Sequence, residues 1–292
     1  MIRVGFIGIG NMGFAMAVGL LERGWPVAVL DIDAQREADA AQLGAVICAT
    51  PAELAACSDC VVVAVVDAAQ TDEVLFGVGG AAASLTPGAG VMLCPTISPR
   101  DTERIAAALA ERSIACIDAP MSGGPARARD GSMSLIVACP DAVFERHRAL
   151  IDALSSKVFR IGERCGDAAR TKLVNNLLAG INLAGAAEAI ALADRLGLDP
   201  ARTLDVIEQS SGQSWIGSDR MRRAIVGDLA PRAHTTLLDK DTQLALVMAA
   251  DAGRPTPLGT AAAERFRSAC ESGAAALDDA SLFEWARRSG VA

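Results

Sequence analysis

The sequence predicts an α/β protein in which an N-terminal doubly wound parallel sheet is followed by an all-helical C-terminal region, the two joined by one long helix. Three observations carry this. Short apolar runs alternate with amphipathic stretches through the first half of the chain, the sequence form of repeated strand–helix units. The run 60–66 is rich in Val and shows no polar alternation, as suits a parallel strand covered on both faces. Beyond about residue 160 apolar residues recur at helical spacing.

Taken in order, 2–7 reads as a strand and 12–23 as a helix, then 27–30 as a strand and 34–43 as a helix. Strands follow at 60–66, 90–93 and 114–117. Between the last two, 99–111 reads as a helix, with Ser98 as its cap and Pro99 at the first helical position. The last strands are 134–138 and 158–161. The stretch 167–196 has no proline and reads as one helix of roughly 30 residues, about 45 Å at ~1.5 Å per residue. Gly180 and Gly185 inside it are expected to mark close helix packing. Helical stretches then cover 200–210, 215–226, 238–252, 257–273 and 280–288, separated by Pro200, Gly212, Pro231 and the Pro255/Pro257 pair. The boundary is placed near Gly162 to Gly166, giving domains 1–164 and 165–292. Two domains suit 292 residues at ~150 per domain.

Composition excludes several functions. Lys plus Arg is 27 and Asp plus Glu is 35, a net charge of −8, where a nucleic-acid binder normally shows a basic balance. The start of the chain does not have the form of a signal peptide, and no apolar run approaches the ~18 residues of a spanning helix. The eight cysteines have no disulfide-framework spacing. A cytoplasmic protein, with no membrane or nucleic-acid partner, is expected. Two histidines, His147 and His234, cannot build a multi-histidine metal centre, and Cys57-Ser58-Asp59-Cys60 lacks the second cysteine pair of a zinc site. No metal is expected. The absence of tyrosine removes tyrosine-based acid catalysis, and there is no Gly-x-Ser-x-Gly elbow.

One motif points to a cofactor. Gly8-Ile9-Gly10-Asn11-Met12-Gly13 follows the first strand and opens a helix, and the second strand ends in an acid, Asp31, 18 residues after Gly13. This is the context of a Rossmann-type dinucleotide site. Gly8 allows the tight turn, Gly10 lets the backbone approach a pyrophosphate, and Gly13 lets the helix lie close on the sheet. The helix N-terminus offers N–H groups to the phosphates. Asp31 is placed to accept from both ribose hydroxyls of NAD and would repel a 2′-phosphate. Ile32 follows it instead of the Arg that grips NADP, and Arg36 is the nearby cation. NAD is therefore expected over NADP, with Asp33 the competing ribose ligand.

Three further segments carry chemistry. Asp118-Ala119-Pro120-Met121-Ser122-Gly123-Gly124 closes a strand, and its Ser-Gly-Gly turn suits a carboxylate. In Lys172-Leu173-Val174-Asn175-Asn176, Lys172 and Asn176 are i and i+4 on one helix face, among apolar neighbours that suggest partial burial. Asp239-Lys240-Asp241 opens another helix.

Together these motifs resemble the β-hydroxyacid dehydrogenase family over essentially the whole chain. The resemblance rests on the stretch Gly5 to Gly13, the Asp118 to Gly124 segment, Gly166 with Lys172 to Asn176, and Lys240-Asp241. It implies an active site between the two domains, a small hydroxy-acid substrate, and a homodimer or homotetramer formed through the helices. It implies Lys172 as general acid/base and Asn176 as the residue holding substrate and lysine. Ser122, Gly123 and Gly124 would bind the substrate carboxylate. Lys240 would sit at the nicotinamide end with Asp241 supporting it, and Val66 and Thr96 would join Gly8, Gly10, Asn11, Met12, Gly13 and Asp31 at the cofactor. Met121, Cys94-Pro95 and Gln243 depart from the usual family residues and bear on the pocket wall.

A lysine serves as base only if its pKa is lowered toward the working pH by burial or a neighbouring cation, and Lys240 is a candidate for that cation. For the substrate, Val66 to Gln70, Val74 to Gly77, 157–162, Ser214-Trp215 and Asp219 to Arg222 resemble the branch that oxidises L-threonate. The Asn175-Asn176 pair and Ser210-Ser211-Gly212 resemble 3-hydroxyisobutyrate dehydrogenase instead. An L-threonate-type sugar acid ranks first, 3-hydroxyisobutyrate second and tartronate semialdehyde third. Imine reductases share the architecture but usually lack the lysine, and a non-catalytic NAD sensor would not need one.

Overall fold

The computed structural model describes residues 1–289. Within them the chain divides into two compact units, Met1–Lys172 and the chain from Leu173 onward.

The first unit is built on one sheet. Its strands are β1 (Val4–Ile7), β2 (Val27–Leu30), β3 (Val46–Ile47), β4 (Cys60–Val63), β5 (Gly90–Leu93), β6 (Ala115–Asp118), β7 (Met121–Ser122), β8 (Ser134–Ala138) and β9 (Lys157–Gly162). The order is β3-β2-β1-β4-β5-β6-β8-β7, with β9 also paired to β8. From β3 to β6 every neighbouring pair is parallel, and β8 is antiparallel to β6 and β7. The chain winds outward from β1 in one direction and restarts at β4 in the other. The crevice beyond the carboxyl ends of β1 and β4 is therefore the topological switch point, where open α/β sheets bind ligands.

The unbroken apolar runs have a direct cause. In β4, Cys60 and Val62 enter one core cluster with Phe6, Met16, Leu20 and Met92. Val61 and Val63 enter the other with Ile7, Leu54, Leu93 and Ile105. Successive side chains point to opposite faces, and helices α1 (Asn11–Glu22), α2 (Ala34–Gln42), α3 (Pro51–Ala56), α4 (Ala68–Phe76), α5 (Pro99–Ala110), α6 (Gly124–Asp130) and α7 (Asp141–Leu154) cover both. Ser98 caps α5 as expected, its hydroxyl accepting from the Asp101 N–H at 3.0 Å. Several of these elements are absent from the sequence-based assignment. β3 is two exposed residues, too short for a period. α7 does have helical spacing in its buried Phe144, His147, Leu150, Ile151 and Leu154, but it lies between two strands where the alternation was read only for strands.

α8 (Asp167–Arg195) is the single long helix that was expected, 29 residues in length. By length and composition alone it is apolar enough to cross a membrane, with a mean hydropathy of 1.4 over its best window. This corrects the expectation that no stretch reaches that limit. Its Leu183, Ala184, Ala187 and Ile190 are core residues of the second unit. Gly180 is a close-packing site, where a Cβ would lie 2.7 Å from Thr242 Cγ2, whereas Gly185 faces open space. The remaining helices are α9 (Pro200–Glu208), α10 (Trp215–Ile225), α11 (Thr235–Asp251), α12 (Pro257–Ala269) and α13 (Leu282–Ser289). The helix expected over 257–273 stops at Ala269 and widens into a π-type turn over Cys270–Ala274, broken by Gly273 at φ +96°.

Candidate active site

The glycine turn after β1 shows which of its glycines the chain itself requires. Gly8 has φ +88°, and a Cβ there would lie 2.9 Å from the Ala64 carbonyl carbon. At Gly13 a Cβ would lie 2.1 Å from the Gly8 oxygen. Both positions are closed to any side chain by the protein's own backbone. Gly10 differs: its φ is −60°, and a Cβ would meet nothing within 4 Å. Among the described residues no packing contact requires a glycine there. The space beside it is open, as the approach of a dinucleotide pyrophosphate to the N-terminus of α1 would require. Asn11 and Met12 form the first turn of α1, which no side chain caps.

Asp31 stands at the end of β2 and is tied to the same turn. Its Oδ2 accepts from the Ile9 N–H at 2.5 Å and its Oδ1 from the Asp33 N–H at 2.9 Å. The competing Asp33 is the N-cap of α2, accepting from the Gln35 N–H at 2.9 Å. Ile32 is fully exposed. Arg36 donates to Asn11 Oδ1 at 3.1 Å and stacks over Phe14, with 5.5 Å from guanidinium carbon to ring centroid. The nearby cation is thus held beside the glycine turn. Val66 follows β4, its N–H held by Gln70 Oε1 at 2.9 Å, and Thr96 follows β5, half-buried. These residues stand beyond the carboxyl ends of β1, β2, β4 and β5.

The Ser-Gly-Gly turn lies farther along the same unit. Ser122 is in β7, paired with Ser134. Gly123 and Gly124 have φ of +134° and +78° and lead into α6. Two consecutive left-handed residues are open to glycine and hardly to anything else. Asp118 ends β6 with 1% exposure. Its Oδ2 accepts three backbone N–H bonds, from Gly166 at 2.7 Å and from Ala168 and Ala169 at 3.1 Å each. Burial pushes its carboxyl up to about 6 against the opposing pull of those amides. The motif containing Asp118 was evident in the sequence, but its role was not, because its partners lie about fifty residues away.

Lys172 projects from the second turn of α8 and is 7% exposed. The whole chain has three lysines, Lys157, Lys172 and Lys240, among 27 basic residues. Elsewhere it uses arginine, which cannot release its proton at accessible pH. One of these rare titratable amines is therefore buried on the long helix.

In the second unit the predicted residues form one hydrogen-bonded group. Asn176 Nδ2 donates to Asp241 Oδ2 at 2.6 Å, and Lys240 Nζ donates to Asp241 Oδ1 at 2.7 Å. Asn175 Nδ2 donates to Asn176 Oδ1 at 3.0 Å. Asp241, 6% exposed, thus holds a side chain from α8 and one from α11 with a single carboxylate. Asn175 fixes which way the Asn176 amide faces, a function the sequence did not disclose. Asp241→Ala would leave both partners without their acceptor. At ~1.5–3 kcal/mol per hydrogen bond to a charged group, kcat/KM is expected to fall by ~10- to 100-fold. Steady-state kinetics returning the unmutated value would remove Asp241 from the site.

The remaining sequence features lie outside these groups. Cys60 is fully buried in β4 and its thiol is pushed up to about 12. Cys57 Sγ faces Cys48 Sγ at 3.9 Å. Trp215 begins α10, half exposed, with Arg220 stacked on its ring at 5.9 Å.

Comparison with known proteins places names beside this geometry. Residues 3–162 match the family described as the NAD binding domain of 6-phosphogluconate dehydrogenase. Residues 166–286 match the family described as NAD-binding of NADP-dependent 3-hydroxyisobutyrate dehydrogenase. An L-threonate dehydrogenase of Cupriavidus necator is 39% identical over 285 residues, covering 97% of this chain and 95% of the relative. The mitochondrial 3-hydroxyisobutyrate dehydrogenase of Bos taurus is 30% identical over 291 residues, covering 97% and 86%. The crystal structure of a 3-hydroxyisobutyrate dehydrogenase from Salmonella typhimurium superposes with a TM-score of 0.91 at 35% identity, covering 98% of this chain and 100% of that one.

Proposed function

Because the chain belongs to the β-hydroxyacid dehydrogenase family and so is an oxidoreductase acting on the CH–OH group of a hydroxy acid, we propose that its substrate is a four-carbon sugar acid of the L-threonate type. In this reading NAD is the preferred cofactor and Lys172 the general acid/base. The domains divide at 164/165, a dinucleotide-binding domain that also carries the Ser122-Gly123-Gly124 turn before it and a helical domain for substrate and self-association after it. The observation that carries the proposal is Lys172 itself, a buried amine in a chain of three lysines.

The bound nicotinamide would accept a hydride from the hydroxyl-bearing carbon. The protein handles the proton. Burial disfavours the ammonium form, so Lys172 can take the hydroxyl proton in oxidation and return it in reduction. Asn176 has its oxygen and one amide proton committed to Asn175 and Asp241. Its second amide proton is left for a substrate oxygen. Lys240, oriented by Asp241, supplies positive charge, and the Ser122-Gly123-Gly124 turn supplies the carboxylate site. The preference for NAD rests on Asp31, whose charge opposes a 2′-phosphate; Arg36, held on Asn11, is the residue that would work against it.

The reaction compartment is read as the cytoplasm, in keeping with eight free cysteines. A homodimer or homotetramer is read from the exposed Val174, Leu178, Leu192 and Leu196 along and just past α8. The Asn175-Asn176 pair favours 3-hydroxyisobutyrate as the second substrate reading.

The deciding experiment is an NADH-formation assay at alkaline pH. The panel holds L- and D-threonate, both 3-hydroxyisobutyrates, D-glycerate and L-serine, run in parallel with NADP. L-threonate with NAD is expected to stand at least ~10-fold above the rest in kcat/KM, a margin of ~1.4 kcal/mol in transition-state binding. A 3-hydroxyisobutyrate leading by that margin would overturn the substrate, and a faster NADP rate would overturn the role of Asp31.

A further inference from the structure

Asp118 raises a question that packing alone does not answer. It is a carboxylate with 1% exposure, and burying a charge is unfavourable unless something offsets it. What offsets it is the start of α8. One oxygen, Oδ2, accepts from the N–H groups of Gly166, Ala168 and Ala169. The first N–H groups of a helix have no partner within it, and the same end carries the positive pole of the macrodipole. The carboxylate at the end of β6 satisfies both. An apolar residue at position 118 would leave three buried amides without acceptors, while a water-exposed helix start would need no such carboxylate.

What Asp118 grips also matters. Lys172 lies one turn beyond Ala168, and in α-helical geometry its N–H bonds the Ala168 carbonyl. The peptide units clamped by Asp118 are those on which the backbone of Lys172 is built. Ala168 is itself immobilised, fully buried against Ile136 and Ala138 of β8. A second tie on the same turn is of a different kind. Arg170 reaches Glu103 at 2.7 Å, with both side chains more than a third exposed, and exposed pairs of this sort contribute little.

We propose that Asp118 is a positioning residue for the reaction: by clamping the first turn of α8 to the carboxyl end of β6, its carboxylate sets the place of Lys172. The inference rests on the assignment of Lys172 as acid/base. It gives the aspartate of the Asp118 to Gly124 segment a function separate from the Ser-Gly-Gly turn.

The charge at Asp118 costs the fold something. Its carboxyl is pushed up to about 6 from 3.8 because burial outweighs the three amides, with Asp167 adding a like charge. The other titratable groups around it are the thiols of Cys94, Cys116, Cys139 and Cys165. Because its folded pKa lies above the unfolded one, the folded chain binds this proton more tightly, and stability falls as pH rises from about 4 to about 6. A merely structural residue would be better neutral. Ionised Asp118 accepts more strongly from the three amides at the helix start.

The test is Asp118→Asn, which keeps size and an acceptor oxygen while removing the charge. With three lysines in the chain, lysine-selective 13Cε labelling yields three resonances, and Lys172→Ala assigns the one needed. The expected result is a folded variant with a thermal midpoint at pH 7.5 no lower than the parent's. Its kcat falls at least ~10-fold, equivalent to ~1.4 kcal/mol, its affinity for NADH is unchanged, and the Lys172 titration is displaced because the amine has lost its place. Glu103→Gln on α5, which removes the Arg170 tie to the same turn, is expected to leave kcat unchanged. Unaltered kcat and an unmoved Lys172 titration in Asp118→Asn would overturn the proposal. So would a loss of activity matched by a loss of stability with the titration unmoved. If the variant does not fold, the parent decides: its Lys172 resonance must show a second inflection near pH 6, and its absence overturns the proposal. Full turnover in Lys172→Ala would instead defeat the assignment of the base itself.

Discussion

Lys172→Ala is expected to lose ~10²- to 10⁴-fold in kcat, the usual contribution of a positioned acid/base, while NADH binds as tightly as before. The separation follows from where the parts stand. The glycine turn and Asp31 lie at the carboxyl ends of β1 and β2, whereas Lys172 belongs to α8. NADH fluorescence titration measures the first and initial rates the second. Lys172→Arg sharpens the result. It keeps the positive charge but cannot release a proton, so a charge-only role would leave the arginine variant active and a proton-transfer role would leave it as impaired as alanine. Near-parent turnover in Lys172→Ala ends the assignment.

Gly10→Val and Gly13→Ala should separate cofactor contact from fold. At Gly10, among the described residues, no atom other than those of the glycine and its chain neighbours stands within 4 Å of the added carbon. The fold loses only part of a helix cap, ~1 kcal/mol, and the thermal midpoint stays within ~3 °C. Cofactor affinity is expected to fall at least ~100-fold, because the valine would occupy the path proposed for the pyrophosphate. At Gly13 the added carbon would sit 2.1 Å from the Gly8 oxygen, so α1 must shift off the sheet. Overpacking of this kind costs ~1–3 kcal/mol, which lowers the midpoint by ~3–10 °C. Calorimetry with NADH titration reads both variants. Retained affinity in a folded Gly10→Val would mean that no ligand approaches there.

The features legible in the sequence were those carried by short spacings. The glycine turn needs six consecutive residues and a strand before them. The Lys172/Asn176 pair needs only the helical period, which places i and i+4 on one face. Unbroken apolar runs such as Cys60–Val63 announced a sheet covered on both sides, because side chains alternate and both faces are buried. The choice between Asp31 and Asp33 was not open to spacing. In the structure Asp33 caps α2 while Asp31 turns to the Ile9 amide, which is why Asp31 is the residue proposed for the ribose. Similarly, nothing local distinguishes Asn175, whose bond to Asn176 fixes an amide orientation that matters only because Asp241 comes from another helix.

By itself, then, the sequence determined the class of fold, the single long helix, the glycine turn after β1 and the identity of the rare buried amine, since each is written in residue type and period within a few turns of chain. The tertiary structure decided which polar groups hold one another. Asp118 reaches amides 48 to 51 residues away, and Asp241 reaches an amide 65 residues away. Hydrogen bonds across such separations depend on how elements are stacked in space, and buried groups must find partners wherever the fold brings them, because unpaired burial is too costly to persist.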